Sequence, residues 1–252
     1  MKKNIEVDNN NVEFNIYGKS KNCLILLSGW THDFQYDKSF INELEKKRKV
    51  ITISYPGYSG SYESNKAQSM KFLSGLIDLI VLELKINKFE LVGFSIGCQV
   101  VLEYLKNHPK QRAILISPVM HSLTENIPFY GKIILRSDFL VSFIRNFTLL
   151  KLSLVNIAYS KIATVTEGKK RHSKFSDDKV SLNGAYDTLI ATLKSFINPL
   201  LYKDRIRFVF GENEVDRKIL DSKAIKYNIL KNAGHGSFDT HYKQIANFIS
   251  KC

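Results

Sequence analysis

Short apolar runs alternate with helical patterns along most of the chain, and this alternation restricts the fold more than any other feature. Cys23–Leu27 and residues 50–54 are mainly apolar runs, typical of strands buried on both faces. Residues 66–85 then carry apolar side chains at helical spacing. Strands and helices that alternate at these distances predict βαβ units, so we expect a mostly parallel sheet with helices on both faces.

The two ends of the chain extend this pattern. Residues 4–17 form two short alternating runs around three asparagines, which predicts a hairpin at an antiparallel sheet edge. Further elements are predicted at 37–49 (helix), 112–117 (strand), 205–210 (strand), 218–225 (helix), 227–230 (strand) and from Asp239 (helix). Because ligands of such sheets bind beyond the carboxyl ends of the strands, the loops at those ends are where functional residues are expected.

One predicted strand-to-helix turn carries a serine between two glycines. Residues 88–101, KFELVGFSIGCQVV, run from apolar strand residues through Gly93–Gly97 into a helical pattern. In a G-x-S-x-G turn the serine hydroxyl is held away from the backbone, and the glycines leave room for close packing of strand and helix. Ser95 is therefore a candidate nucleophile, the alternative being an ordinary turn serine.

Three other loops at predicted strand ends supply the groups that a serine nucleophile needs. His235 lies in NAGHG after the last predicted strand, and Glu214 and Asp216 follow the strand before it. A neutral imidazole takes the serine proton, and a carboxylate orients the imidazole and stabilises the imidazolium. Ser28-Gly29-Trp30 follows the first buried strand and can donate backbone N–H groups to a developing negative charge. Either carboxylate is a candidate partner of His235.

The pattern changes between residues 119 and 199, where helical segments rich in large apolar residues replace the strands. A helical insertion over the sheet edge that carries Ser95 is where a lid would lie. We therefore expect a core of residues 1–118 and 200–252 and a helical cap of residues 119–199. The polar, basic stretch 168–178 is predicted to be a loop between cap helices.

Aromatic residues near the predicted turn and in the cap are candidates for substrate contact. Phe94 precedes Ser95, and Phe143 and Phe147 belong to an apolar stripe near one helical face of the cap. Lids often line the pocket of an apolar substrate, so we predict that these three side chains contact it. The alternative for the stripe is packing alone.

Composition limits the compartment and the cofactors. The three cysteines are widely spaced without a CxxC pattern, which favours neither a disulfide framework nor a zinc site, and the histidines lack metal-ligand spacing. No cofactor is expected. The first ten residues do not resemble a secretory signal, and no uncharged apolar stretch approaches the ~20 residues that span a bilayer, so we expect a cytoplasmic protein without a transmembrane segment.

The net charge of +13 would attract polyanions, acidic proteins or anionic lipid surfaces. The charge is scattered, and no nucleic-acid-binding motif accompanies it, so no nucleic-acid partner is expected. An acidic protein, such as an acyl carrier protein, is compatible with it.

On these residues the chain resembles the α/β-hydrolase superfamily over nearly its full length. The order Ser95, acid, His235 is the order of that family. The resemblance implies a twisted, mostly parallel sheet of about eight strands with an inserted helical cap. It also implies that the backbone N–H groups of Trp30 and Ile96 form an oxyanion hole.

Three positions depart from the family pattern. The acid position falls on Glu214 where Asp is usual, which keeps Asp216 as an alternative acid. The oxyanion loop begins Ser-Gly rather than His-Gly, which removes neither backbone donor. Residues 55–61, YPGYSGS, resemble the family's DxPGxGxS loop without its aspartate.

The resemblance implies an esterase or thioesterase that acts on a small-molecule or carrier-bound acyl substrate through an acyl-enzyme. A C–C bond hydrolase, a lactonase or an acyltransferase would use the same groups. A ligand-binding protein that has lost catalysis, or an interaction domain with a basic surface, are alternatives from other classes.

Overall fold

The computed structural model describes residues 1–65, 68–125, 127, 129–167, 179–235 and 238–251, with only the backbone at 130, 159–167, 238 and 239. The predicted loop at 168–178 lies outside these residues. Eight strands form one sheet: β1 (Lys2–Val7), β2 (Asn10–Tyr17), β3 (Cys23–Leu27), β4 (Lys49–Ile53), β5 (Phe89–Phe94), β6 (Ala113–Ile116), β7 (Ile206–Gly211) and β8 (Tyr227–Leu230).

The strands lie in the order β1-β2-β4-β3-β5-β6-β7-β8. The β1–β2 and β2–β4 pairs are antiparallel, whereas every other neighbouring pair is parallel. The predicted N-terminal hairpin and the mostly parallel sheet are therefore confirmed. Because β3, β5, β6, β7 and β8 run in the same direction, the loops that follow them meet at one edge of the sheet.

The helices are α1 (Lys38–Glu45), α2 (Met70–Glu83), α3 (Gly97–Asn107), α4 (Phe129–Arg136), α5 (Asp138–Asn146), α6 (Thr148–Glu167), α7 (Leu182–Lys194), α8 (Arg217–Asp221) and α9 (Phe238–Ser250). Short 3-10 helices lie at Phe34–Tyr36 and Pro199–Arg205. The predicted helix at 66–85 is shorter because the Ser69 hydroxyl caps α2, accepting the Phe72 N–H at 3.1 Å. The predicted helix at 218–225 ends at Asp221, and Ala224 has a positive φ of 51°.

Two apolar layers cover the sheet. On one face α1 and α9 pack on Leu24 and Leu26, and on the other α2 and α3 pack on Ile25 and Leu27. All four of these β3 side chains are fully buried. Burial of such a side chain contributes roughly 1.5–3 kcal/mol, so this central strand is a rigid support for the loop that follows it.

Helices α4 to α7 lie between β6 and β7, within the range assigned to the cap, although the division into core and cap stays a prediction. The segment around α7 is joined to the loop after β4, since the Ser181 N–H donates to the Gly57 carbonyl at 2.7 Å and the Ser59 N–H to the Lys179 carbonyl at 2.9 Å. Most of α7 is buried. These hydrogen bonds and this burial hold α7 against the loop that follows β4.

Within the described part of the chain, no individual helix has the length and apolar character needed to cross a membrane. Helix α5 and residues 148–158 of α6 satisfy those two criteria only when taken together, and the pair is bent by 106°.

Candidate active site

Ser95 occupies the turn between β5 and α3. Its φ of +52° lies in the left-handed region, which is uncommon for a residue other than glycine. The Ser95 N–H donates to the Ile116 carbonyl at 3.0 Å, and a Cβ at Gly97 would overlap the carbonyl oxygen of Leu27. The glycine thus allows α3 to approach β3 closely, and the surrounding contacts hold the serine in its strained conformation.

The side chain of His235, in the loop after β8, meets Ser95. Ser95 Oγ lies 2.8 Å from His235 Nε2. The Phe94 ring lies beside the imidazole, with 5.7 Å between ring centroids. The exposed fraction of the His235 side chain is 12%, so the imidazole is largely shielded from water. The distance suits transfer of the serine proton to an unprotonated Nε2.

Glu214, in the loop after β7, contacts the other nitrogen of the imidazole. Its Oε2 lies 3.2 Å from His235 Nδ1. Its Oε1 accepts two hydrogen bonds, from the Ser117 hydroxyl and from the Gly211 N–H, each at 2.6 Å. The residue is only 3% exposed. Two donors on Oε1 fix the carboxylate so that Oε2 faces the histidine, which selects the tautomer with the proton on Nδ1.

The structure does not bring Asp216, the other candidate acid, to His235. Its Oδ1 lies 3.1 Å from His121 Nδ1, and its Oδ2 accepts the Met120 N–H at 3.2 Å. The hydrogen bond from Asp216 raises the pKa of His121, against the opposing effect of burial. Glu214 is therefore the carboxylate that the loop presents to the serine and histidine.

The loop after β3 lies next to Ser95. A Cβ placed on Gly29 would come within 3.4 Å of Ser95 Cβ and 2.9 Å of the Phe94 ring. The loop is tied down by Trp30, whose indole N–H donates to the Ala185 carbonyl at 2.8 Å, and by Thr31, whose N–H donates to the Tyr58 hydroxyl at 3.3 Å. These contacts restrict the loop to one path beside the serine.

Ile96 follows Ser95 and directly precedes α3. Gly29, the residue before Trp30, lies against Ser95, and Ile96 is the next residue along the chain. The role of Trp30 and Ile96 as oxyanion donors stays a prediction.

The three predicted substrate-binding phenylalanines have different environments. Phe94 is 7% exposed and packs beside His235, whereas Phe143 and Phe147 are 47% and 48% exposed. The rings of Phe143 and Phe147 lie 4.5 Å apart between centroids. Substrate contact by all three stays a prediction.

Cys98, His32 and Asp33 lie near the site and make contacts with residues other than Ser95, His235 and Glu214. Burial raises the pKa of the Cys98 thiol well above its usual range, and the thiol donates to the Gly93 carbonyl at 3.2 Å. His32 pairs with Asp37 at 2.8 Å, and the Asp33 side chain accepts the Gln35 N–H at 3.1 Å, as a cap does. Among the described residues no group of three or more His, Cys, Asp or Glu side chains is arranged to hold a metal ion.

Comparison with known proteins agrees with this architecture. Residues 22–137 match the family model described as alpha/beta hydrolase fold. No curated protein sequence matches the chain. The chain has the α/β-hydrolase fold.

Solved structures of similar α/β-hydrolase fold cover almost the whole chain. An esterase from Exiguobacterium antarcticum has a TM-score of 0.70 at 16% identity, with 98% of this chain and 96% of that chain covered. An esterase from Thermogutta terrifontis has a TM-score of 0.70 at 13% identity, with coverage of 100% and 97%. A bromoperoxidase from Bacillus anthracis has a TM-score of 0.70 at 14% identity, with coverage of 99% and 98%.

Sequence reasoning missed two polar residues, one that contacts the candidate acid and one on the helix that follows Ser95. Ser117, at the end of β6, supports Glu214. Gln99 on α3 is fully buried and exchanges two hydrogen bonds with the backbone of Ile197, at 2.8 and 3.1 Å. The sequence signal for Ser117 is its position directly after a buried strand of the parallel sheet. The sequence signal for Gln99 is a glutamine within the apolar helical pattern that follows Gly97, because a polar group in a buried helix needs a hydrogen-bond partner.

Proposed function

We propose that this α/β-hydrolase is a serine hydrolase that cleaves a carboxylic ester or thioester of a hydrophobic acyl group through an acyl-enzyme. The observation that carries the proposal is the continuous chain of contacts from Ser95 Oγ to His235 Nε2, at 2.8 Å, and from His235 Nδ1 to Glu214 Oε2, at 3.2 Å. A nucleophile, a base and an orienting carboxylate within hydrogen-bond reach of one another are what acyl transfer requires.

In the acylation step Ser95 Oγ attacks the acyl carbonyl carbon while its proton moves to His235 Nε2. The carbonyl oxygen becomes an oxyanion, which accepts hydrogen bonds from the backbone N–H groups of Trp30 and Ile96. Collapse of this tetrahedral intermediate breaks the bond to the leaving alcohol or thiol, and the leaving group takes the proton from His235. The Glu214 carboxylate stays ionised and stabilises the imidazolium.

Deacylation repeats these steps with water as the nucleophile. His235 Nε2 takes a proton from the water as its oxygen attacks the acyl carbon. Collapse of the second intermediate breaks the bond to Ser95 Oγ, which recovers its proton from His235, and a carboxylic acid leaves. No metal or redox cofactor is required for this balance of atoms and protons.

Serine at the turn bears on the kind of reaction. One similar structure, at 12% identity, is described as an epoxide hydrolase, and others as enzymes that degrade N-acyl homoserine lactones. An epoxide hydrolase of this fold would need aspartate at the position of Ser95. A lactone is an internal ester and would react by the steps above, so it belongs in a substrate panel.

The test uses p-nitrophenyl esters of graded chain length and a fluorophosphonate probe. We expect wild-type protein to hydrolyse the esters and to be labelled on Ser95. Ser95→Ala should lower kcat/KM by roughly 10³-fold or more and remove the label, because the nucleophile is absent.

Ser222→Ala is the matched control, since its hydroxyl contacts only the Ile219 carbonyl on the surface, and it should retain activity and labelling. Turnover and labelling that survive in Ser95→Ala would show that another group carries the reaction. Wild-type protein that neither reacts nor is labelled would favour a ligand-binding role.

A further inference from the structure

Large apolar side chains are concentrated on the outside of α4 to α6. In the described residues sixteen such side chains are exposed, and nine of them lie between Phe129 and Ile157. Scattered exposed hydrophobic residues are normal, but a contiguous group marks a surface that binds another molecule or a membrane. We call the nine exposed apolar side chains between Phe129 and Ile157 the apolar cap face.

Helix α5 shows that the exposure follows from how the helix is anchored. Val141 and Arg145 are buried, and Arg145 forms a bidentate ion pair with the buried Asp187 of α7 at 2.8 and 3.0 Å. Phe139 and Phe143 lie about half a helical turn away from that anchored side, and they are 75% and 47% exposed. A surface helix usually presents polar residues to water, whereas α5 presents phenylalanines.

Helix α6 repeats the arrangement. Lys151 and Val155 are buried, and Lys151 Nζ donates to the Arg145 carbonyl at 2.9 Å, so this side is fixed against α5. Leu149 and Ile157 project from the other side with 80% and 53% exposure. The buried polar contacts therefore prevent α5 and α6 from turning their outer apolar sides inward.

Charge indicates which partner fits the apolar cap face. On α4, Lys132 and Arg136 lie beside the exposed Phe129 and Ile133. Residues 119–199 contain eleven lysines and arginines against six acidic residues, and the whole chain carries +13. Asp138, the acidic residue that begins α5, is paired with Lys194 at 2.5 Å. Lys132 and Arg136 beside exposed apolar side chains are complementary to an anionic, partly apolar surface. The net charge of +13 opposes contact with a second copy of the chain.

We propose that the apolar cap face docks on the surface of an anionic lipid bilayer. The outer side chains of α4, α5 and α6 enter the boundary between headgroups and acyl chains, and Lys132 and Arg136 remain at the level of the lipid phosphates. Helices α5 and α6 lie along the surface, because their opposite sides are held by the Arg145–Asp187 ion pair and by the Lys151 contact with the Arg145 carbonyl. This inference does not depend on the reaction proposed above.

The test is flotation of the full chain with vesicles. Wild-type protein is expected to bind vesicles of phosphatidylcholine and phosphatidylglycerol in equal parts, and to bind phosphatidylcholine vesicles much more weakly. The double variant Phe139→Gln/Leu149→Gln should lose roughly tenfold or more of its partition coefficient. Raising NaCl from about 0.1 M to about 0.5 M should weaken wild-type binding severalfold.

Leu82→Gln/Leu201→Gln is the matched control, because these leucines are 76% and 74% exposed outside the cap. It should bind like wild type, as should Ser95→Ala, which separates docking from catalysis. Phe139→Trp should show a blue shift of emission with anionic vesicles, whereas Leu82→Trp should not, so the proposal is testable even if the glutamine variant folds poorly.

Three outcomes would overturn the proposal. The first is wild-type protein that stays with the buffer fraction in the presence of anionic vesicles. The second is a Phe139→Gln/Leu149→Gln variant that circular dichroism shows to be folded and that floats as well as wild type. The third is a dimer in sedimentation velocity that the glutamine substitutions abolish, with vesicle binding unchanged in flotation.

Discussion

Two histidine–carboxylate pairs lie side by side at the same edge of the sheet, and their carboxylates are two residues apart. Glu214 pairs with His235 at 3.2 Å, and Asp216 pairs with His121 at 3.1 Å. Both carboxylates are buried, with exposed fractions of 3% and 5%. By residue type, distance and burial the two pairs are nearly equivalent.

They differ in what else each pair touches. His235 Nε2 lies 2.8 Å from Ser95 Oγ, so this pair can accept a proton from the serine. Asp216 instead accepts the backbone N–H of Met120, at the start of the helical insertion, so this pair holds a chain segment. A histidine and a carboxylate in contact are thus not a catalytic unit until a third group defines their role.

Neutralising each carboxylate in turn separates the roles of the two pairs. Glu214→Gln should lower kcat by roughly 10³–10⁴-fold, because the amide cannot stabilise the imidazolium and can select the wrong tautomer. Asp216→Asn should lower kcat by less than about threefold, because its partner is His121. Steady-state kinetics on one p-nitrophenyl ester measures both. The reverse ranking would assign the acid to Asp216.

A smaller effect is expected at Ser117, which supports only the first pair. Ser117→Ala removes one of the two donors to Glu214 Oε1, and we expect kcat to fall about tenfold with KM unchanged, the worth of one hydrogen bond to a charged group. Ser122→Ala is the control, because its hydroxyl contacts Thr124 rather than the acid. Equal kinetics for the two variants would mean that the Gly211 N–H alone orients Glu214.

The smallest effect concerns stability and belongs to the second pair. Because Asp216 raises the pKa of His121 in the folded chain, the protonated imidazole stabilises the fold. This contribution is complete below the unfolded pKa of about 6.5 and is lost as the pH rises through the higher folded value. His121→Ala should therefore reduce the free energy of unfolding by on the order of 1 kcal/mol at acidic pH and by less at alkaline pH.

Urea unfolding of wild type, His121→Ala and Asp216→Asn at several pH values measures this difference. Asp216→Asn should remove the same pH-dependent part, since it removes the cause of the shift. A loss in His121→Ala that is constant with pH would indicate packing instead of charge.

Local motifs were sufficient to single out Ser95 and His235, which the structure brings within 2.8 Å of each other. A turn between a strand and a helix, and a histidine after the last strand, are recognised from neighbouring residues alone. The choice between Glu214 and Asp216 was not available from the sequence. It depends on the path of one loop, which the Ser117 hydroxyl fixes from a position 97 residues away. The fold was predictable because parallel strands that are buried on both faces require continuous apolar runs, which the sequence shows directly.

The helical insertion between β6 and β7 was less predictable. The apolar stripe through Phe143 and Phe147 was expected near one helical face, but Phe147 has an extended backbone, with φ −105° and ψ 101°, and it separates α5 from α6. The apolar residues before and after Phe147 therefore belong to two different helices, which meet at a bend of 106°. A hydrophobic period does not reveal such a break, and it does not tell which apolar side of a helix faces water.

Gln99 connects the helix behind the serine to the returning end of the insertion, through two hydrogen bonds with the backbone of Ile197. The departing end is held in the same manner, by Asp216 and the backbone of Met120. Both sets of hydrogen bonds are made to backbone atoms, so they do not depend on which side chains lie between Met120 and Ile197. The base of the insertion is therefore held through backbone atoms, and the sequences of α4 to α6 can change while the serine keeps its surroundings, provided that the buried Arg145–Asp187 pair between α5 and α7 is kept.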